Sequence, residues 1–140
     1  MVCTFIGHRD APHLLKPILK QVLKDLIENK NVNVFYIGNQ GNFDCIARQC
    51  LKELKKIYNI NYYVVLAYMP AGNKTDDYSD TVYLDEISNT PYKYRIIERN
   101  KWMIKRSDIV IAYCKYPGNT REFRDIAKKQ NKTIIDLEID

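Results

Sequence analysis

Apolar residues fall into two alternating patterns along this chain. Short, nearly continuous apolar runs occur at Val2–Ile6, Asn33–Ile37, Tyr62–Leu66, Ile109–Tyr113 and Thr133–Leu137. Runs of that length suit parallel strands covered on both faces. Between them the apolar positions recur at helical spacing. Leu15, Leu19, Val22 and Leu26 form one stripe, and Ala47, Cys50, Leu51, Leu54 and Tyr58 form another. Ile96/Ile97 recur as Met103/Ile104, and Phe123, Ile126 and Ala127 mark a last helix. The order β-α-β-α-β-loop-α-β-α-β predicts one α/β domain over residues 1–140, a doubly wound five-stranded parallel sheet with helices on both faces. Right-handed crossovers favour strand order 3-2-1-4-5, with the reversal between the first and fourth strands.

Ligands of such sheets bind beyond the carboxyl ends of the strands at the reversal. Four loops are therefore selected: Gly7–Ala11, Gly38–Asn42, Ala67–Pro91 and Cys114–Thr120. The third lacks periodicity over about 25 residues, a length usually functional or disordered in compact domains. Thr81–Leu84 within it reads as a short extra strand or a turn. Five tyrosines between Tyr68 and Tyr94 argue against disorder.

Composition narrows the function classes. Apolar residues make up 46% and charged residues 28% of the chain, globular values. The 22 basic and 17 acidic residues leave a formal charge of +5. The lysines spread over the solvated faces of several helices, so no stripe for duplex nucleic acid is expected. No apolar run approaches the roughly 20 residues a membrane helix needs, and no secretory signal opens the chain. A cytoplasmic location is expected. Cys3, Cys45, Cys50 and Cys114 form no C-x-x-C pair, and His8 and His13 are the only histidines, so neither a metal nor a cofactor is expected. The acidic stretch Asp76, Asp77, Asp80, Asp85 and Glu86 lacks EF-hand spacing and reads as a solvated loop.

Three polar turns carry the candidate chemistry. Gly38-Asn39-Gln40-Gly41 leads from a strand into a helix, where free N–H groups and the dipole suit an anion. It is neither a G-x-G-x-x-G nor a P-loop. Asp44 in the following turn either stabilises the dipole or contacts a ligand. Tyr116-Pro-Gly-Asn-Thr120 is a second such turn. Asn119-x-x-Glu122 has capping-box spacing, so Glu122 either caps the helix or acts as a carboxylate on ligand, and Thr120 either caps or binds phosphate. Gly7, His8 and Arg9 end the first strand. Arg9 is a candidate phosphate fork, and His8 is a base, a donor or a satisfied structural histidine. Arg99 and Asn100 lie on the helix before the fourth strand, where Arg99 either faces solvent or leans over the site.

Cys3-Thr-Phe-Ile-Gly-His-Arg9, Tyr36-Ile-Gly-Asn-Gln-Gly-Asn-Phe-Asp44 and Arg99-Asn-Lys-Trp-Met-Ile-Lys-Arg-Ser-Asp108 together resemble the SLOG superfamily. These are the Rossmann-like domains named after the Smf/DprA and lonely-guy proteins, and small stand-alone bacterial members are the most similar. The resemblance covers essentially the whole chain. It implies a Rossmann-like sheet and a pocket for a nucleotide or nucleotide-derived ligand. The lonely-guy hydrolases carry Pro-Gly-Gly-x-Gly-Thr-x-x-Glu and Met-x-x-Arg-Lys. Pro117-Gly118-Asn119-Thr120-Arg121-Glu122 is similar to a shortened form of the first, and Ile96-x-x-Arg99-Asn100 is similar to the second. The resemblance implies phosphate contacts at Gly118 and Thr120 and catalytic roles for Arg99 and Glu122. One glycine in place of three, and Asn100 in place of lysine, favour a ligand-sensing module. The alternative is a nucleotide N-glycosidase (phosphoribohydrolase), or a deoxyribosyltransferase-like enzyme, since Asp108–Ala112 with its Gly–Thr–Glu turn is also similar to that family. Homo-oligomerisation stays open.

Overall fold

A computed structural model describes residues 1–69 and 80–139. Its six strands are β1 (Val2–Gly7), β2 (Val34–Ile37), β3 (Asn61–Leu66), β4 (Thr81–Tyr83), β5 (Ile109–Tyr113) and β6 (Thr133–Asp136). The helices are α1 (Leu15–Asn29), α2 (Asn42–Lys55), α3 (Arg95–Lys105) and α4 (Asn119–Lys129). All six strands are parallel, in spatial order β4-β3-β2-β1-β5-β6.

The five strands read from the sequence take the expected order, and the sheet gains a sixth. Thr81–Tyr83 pairs alongside Val64–Leu66, at the edge of the sheet. Of the two readings of Thr81–Leu84, strand or turn, the strand is the one formed, over three half-exposed residues that carry little apolar signal of their own. The pairing with β3 is reinforced by Asp80, whose carbonyl accepts the Val64 N–H and whose carboxylate takes a bidentate contact from Arg48 and a hydrogen bond from the Tyr62 hydroxyl. Of the long loop, residues 70–79 lie outside the described residues, and with them Asp76 and Asp77 of the acidic stretch. Its later part forms two single turns of 3-10 helix, Asp85–Ile87 and Tyr92–Tyr94.

Strand alternation divides the interior. Cys3, Phe5, Phe35, Ile37, Val64 and Ile111 face α1 and α2 in one continuous core. Ile6 and Val110 point the other way, against Ile104, Phe123 and Ala127 of α3 and α4. Val65 packs with Leu84, Ile87 and Met103 in a third cluster beside them. On α1 the buried stripe runs through Leu15, Leu19, Leu23 and Leu26, and Val22 sits at its margin. Both α1 and α4 end on an asparagine with positive φ, Asn31 at 56° and Asn131 at 61°. The Val32 and Lys132 amides then close back onto Leu26 and Ala127 carbonyls, an ending that turns the chain sharply into β2 and β6. This architecture brings the loops after β1, β2 and β5 to one end of the sheet, beside the reversal between β1 and β5.

Candidate functional site

Two close approaches shape the loops that end β1 and β2. A Cβ on Gly7 would stand 2.2 Å from the Phe43 ring, so the bare backbone of Gly7 is what lets the first turn of α2 lie on β1. Gly41, with φ +88°, ends the second loop, and a Cβ there would meet the Arg9 backbone at 2.7 Å. The Asn42 N–H donates to the Arg9 carbonyl over 2.9 Å, which ties the two loops together at the N-terminus of α2. Gly118, with φ +149°, opens α4 and has nothing within 4 Å of a Cβ position. Neither helix has a side-chain cap, so the expected Asn119–Glu122 capping box is not formed. The backbone turns at Gly118 instead, and the first N–H groups of α4 stay open.

A cleft of about 240 Å³ lies between these loops and α3. Gly7, Arg9, Gln40, Asp44, Arg99, Asn100, Asn119 and Thr120 line it, with Lys93, Ile96, Ile97 and Phe123. Arg99 forms its inner wall and is only 1% exposed. Its Nη1 donates to the Val65 carbonyl at 2.9 Å and to Asn39 Oδ1 at 3.3 Å, and its Nε donates to Asn100 Oδ1 at 2.7 Å. Nη2 has no protein partner among the described residues and no buried side-chain nitrogen there lacks one, so Nη2 borders the cleft. Burial lowers the Arg99 pKa, and the nearby Asp44 carboxylate opposes that shift.

Gly38 explains how Asp44 and Arg99 share one corner. A Cβ on it would stand 2.7 Å from Asp44 Oδ2 and 2.9 Å from Arg99 Nη2. Asp44 Oδ2 accepts the Gln40 N–H at 2.9 Å. Burial pushes the Asp44 carboxyl up to about 6, against the opposing pull of Arg99 and that N–H. A carboxyl whose folded pKa is raised stabilises the fold at low pH and loses that contribution as pH rises through the folded value. Wild type should therefore lose about 3 kcal/mol relative to Asp44→Asn between about pH 4 and 7. Urea unfolding of both proteins across that range checks it, and parallel profiles would remove the raised carboxyl.

A second hollow adjoins the cleft and shares Arg9, Asn119 and Thr120 with it, adding His8, Asp10, Tyr116 and Gly118. His8 is 4% exposed, and its Nε2 accepts the Lys115 N–H at 2.7 Å and the Tyr116 N–H at 3.4 Å. Its ring stacks on Tyr116 with centroids 3.7 Å apart and planes 5° from parallel, and the Tyr116 hydroxyl donates to Asp10 Oδ1 at 2.8 Å. An accepting Nε2 fixes the neutral tautomer with hydrogen on Nδ1. Burial lowers the His8 pKa, and Asp10 opposes that.

The structure thus gathers eight of the residues singled out from sequence at one cleft, with His8 and Gly118 in the adjoining hollow. Gly38, Asn39 and Gly41 stand behind as spacers and supports. Glu122 lines neither cavity and is exposed on the first turn of α4. Sequence reasoning did not find Lys93, Ile96, Ile97 or Phe123 as lining residues, nor Tyr116 as the ring under His8. The apolar three read as core, and Lys93 lay between the long loop ending at Pro91 and the helical pattern beginning at Ile96. Among the described residues no group of three or more His, Cys, Asp or Glu side chains is arranged to hold a metal, and no helix is long and apolar enough to cross a membrane. A family model described as the YspA SLOG family matches residues 2–139. No curated protein and no solved structure matches the chain.

Proposed function

The chain belongs to the YspA SLOG family, and on that premise we propose that its cleft binds a nucleotide or nucleotide-derived small molecule without consuming it. One observation carries this reading. At the sheet reversal, a guanidinium that is 1% exposed borders a cleft beside two helix N-termini without side-chain caps, of which the first amide of α2 is held by the Arg9 carbonyl. A buried cation with a nitrogen left to the cleft suits an anionic or hydroxyl-rich ligand. Amides at helix N-termini suit phosphate oxygens. Arg9 adds a guanidinium that makes no hydrogen bond or ion pair among the described residues and lines both cavities. The cleft is near the low end of ligand-site volumes, which favours a mononucleotide-sized group inside it.

Binding is favoured over turnover by the position of Glu122. A carboxylate that acts on a glycosidic bond must reach it, within about 3 Å or through one water. Glu122 is exposed outside both cavities. Asp44 gives the enzymatic reading its own support, because a cleft-lining carboxyl raised to about 6 is poised for proton transfer near neutral pH. The test is incubation with a panel of nucleotides, following thermal shift and free-base release together. We expect stabilisation by a subset of the panel and no base release. Arg9→Gln should weaken the binding about ten- to a hundredfold, the scale of one lost charge-assisted hydrogen bond. Base release that Asp44→Asn abolishes would replace sensing by hydrolysis.

A further inference from the structure

The turn that carries Gly118, Asn119 and Thr120 is tied to the end of β1 by two side-chain contacts, the Tyr116 hydroxyl on Asp10 and the backbone amides that His8 accepts. His8, at the end of β1, receives the Lys115 and Tyr116 amides on a single nitrogen, 2.7 and 3.4 Å away. Its ring lies flat on Tyr116 and edge-on to Tyr113, whose centroid is 5.8 Å away. We propose that His8 is a positioning residue for the cleft, and that its neutral imidazole is the latch that holds the β5–α4 turn in place. The site would then assemble only while His8 is unprotonated. This rests on the reading above solely in taking that turn as part of the binding site.

Neutral imidazole has one acceptor, and here that acceptor serves two backbone donors. A second proton must go to Nε2, because Nδ1 already holds the first. Nε2 would then present N–H to two N–H groups, and the ring cannot turn Nε2 away without giving up its stack on Tyr116. The turn must let go, and the N-terminus of α4 goes with it. The charged groups around His8 pull in both directions. Asp10, on the same loop, favours the cation and is itself held by the Tyr116 hydroxyl. Arg9 follows in the chain, and Lys115 lies across the interface with its Nζ over the Tyr113 ring at 5.8 Å. Both cations disfavour a third. The first turn of α4 adds only the uncharged Asn119 and Thr120 on the hollow. Burial outweighs Asp10 in the balance, so release falls below the ordinary histidine range. The latch is complete above that range and opens as pH falls through the lowered value. A bare charge effect has the opposite sign, since a protonated histidine beside an anion site strengthens anion binding.

The experiment needs no ligand, so its outcome is separable from that of the nucleotide panel. Amide exchange and nitrogen–proton spectra of the whole protein are followed from about pH 8 to 5, with the imidazole resonances of His8 and His13 as internal references. We expect the Lys115 and Tyr116 amides to lose at least about tenfold of their protection, after correction for intrinsic exchange, with the midpoint of His8. Gly118 and Thr120 resonances should move at the same midpoint. In His8→Gln the side-chain oxygen accepts at every pH, so the midpoint should vanish and protection at low pH should return. His8→Phe keeps a stacking ring without an acceptor and should leave both amides unprotected throughout. Amides that stay protected while His8 titrates would overturn the proposal. So would a loss that follows His13 or a carboxylate. If His8→Gln does not fold, the wild-type titration decides alone.

Discussion

Arg99→Met should abolish ligand binding and cost about 2–4 kcal/mol of stability, the largest combined loss expected from any single change at the cleft. Methionine fills much of the same volume, so the loss is one of hydrogen bonds and charge. The Val65 carbonyl at the end of β3 would lose its guanidinium donor, and the Asn39 and Asn100 side-chain oxygens would lose theirs. A buried acceptor stripped of its donor costs the desolvation it no longer recovers. Asp44 would lose the cation that holds its pKa down, so its carboxyl should titrate above the present value of about 6. Arg99→Lys retains a charge but not the fork, and one ammonium cannot span three acceptors on β3, α3 and the loop after β2. It should recover part of the stability and little of the binding. Urea unfolding, calorimetric ligand titration and the Asp44 carboxyl resonance read the three effects separately. A methionine variant as stable as wild type, with Asp44 unmoved, would mean that the buried guanidinium does not organise this corner.

Gly7→Ala is expected to cost about 3 kcal/mol or more, although it adds a single methyl group to a loop-end residue. The methyl would stand 2.2 Å from two Phe43 ring carbons and 2.8 Å from the Phe43 Cβ. A ring alone can rotate, but a Cβ moves only with its backbone, so the first turn of α2 must back away from β1. Phe43 is 1% exposed and packs on Phe5 and Tyr113, which leaves the ring no vacant neighbouring position. Gly118→Ala meets nothing within 4 Å and should cost only the backbone strain of a non-glycine residue at positive φ, about 1–2 kcal/mol. The comparison separates overlap from strain. Combining Gly7→Ala with Phe43→Ala should cost less than the sum of the two, because the second change removes the two ring carbons at 2.2 Å and leaves only the Cβ contact at 2.8 Å. Additive unfolding energies would show that the two residues do not compete for the same space.

These effects also show where the sequence was legible. Five strands, four helices and the position of the reversal follow from periodicity, because each is a sustained pattern that burial enforces. Thr81–Leu84 read as a strand or a turn, and what makes Thr81–Tyr83 a strand lies elsewhere, in Arg48 and Tyr62 acting through Asp80 and in the β3 backbone, not in its own apolar content. At the site, residue types predicted proximity better than role. Gly7 was read as a turn glycine, and its requirement is set by Phe43, a contact across 36 positions that spacing along one element cannot reveal. Arg99 was read as facing solvent or leaning over the site, and its burial depends on the Val65 carbonyl arriving from β3. The capping-box spacing at Asn119 is matched by residue type, yet the chain starts α4 at Gly118 without it. For Glu122 the spacing gave a place in the chain, and the exposure of its helix face decided what it can touch.

The middle position of β1 has a consequence for how the chain is made. This strand pairs with β2 on one side and with β5 on the other, and the Val2 N–H is held by the Asp108 carboxylate across 106 residues. During synthesis β1, β2 and β3 emerge early and can begin to pair, but the other side of β1 stays an open edge until β5 leaves the ribosome. At about 5–20 residues per second that wait lasts several seconds, with Phe5 and Ile6 only half covered. Completion of the sheet is therefore a late event with a long closure. A nascent chain arrested before Ile109 would present the open side of β1 as a free template for pairing with another chain.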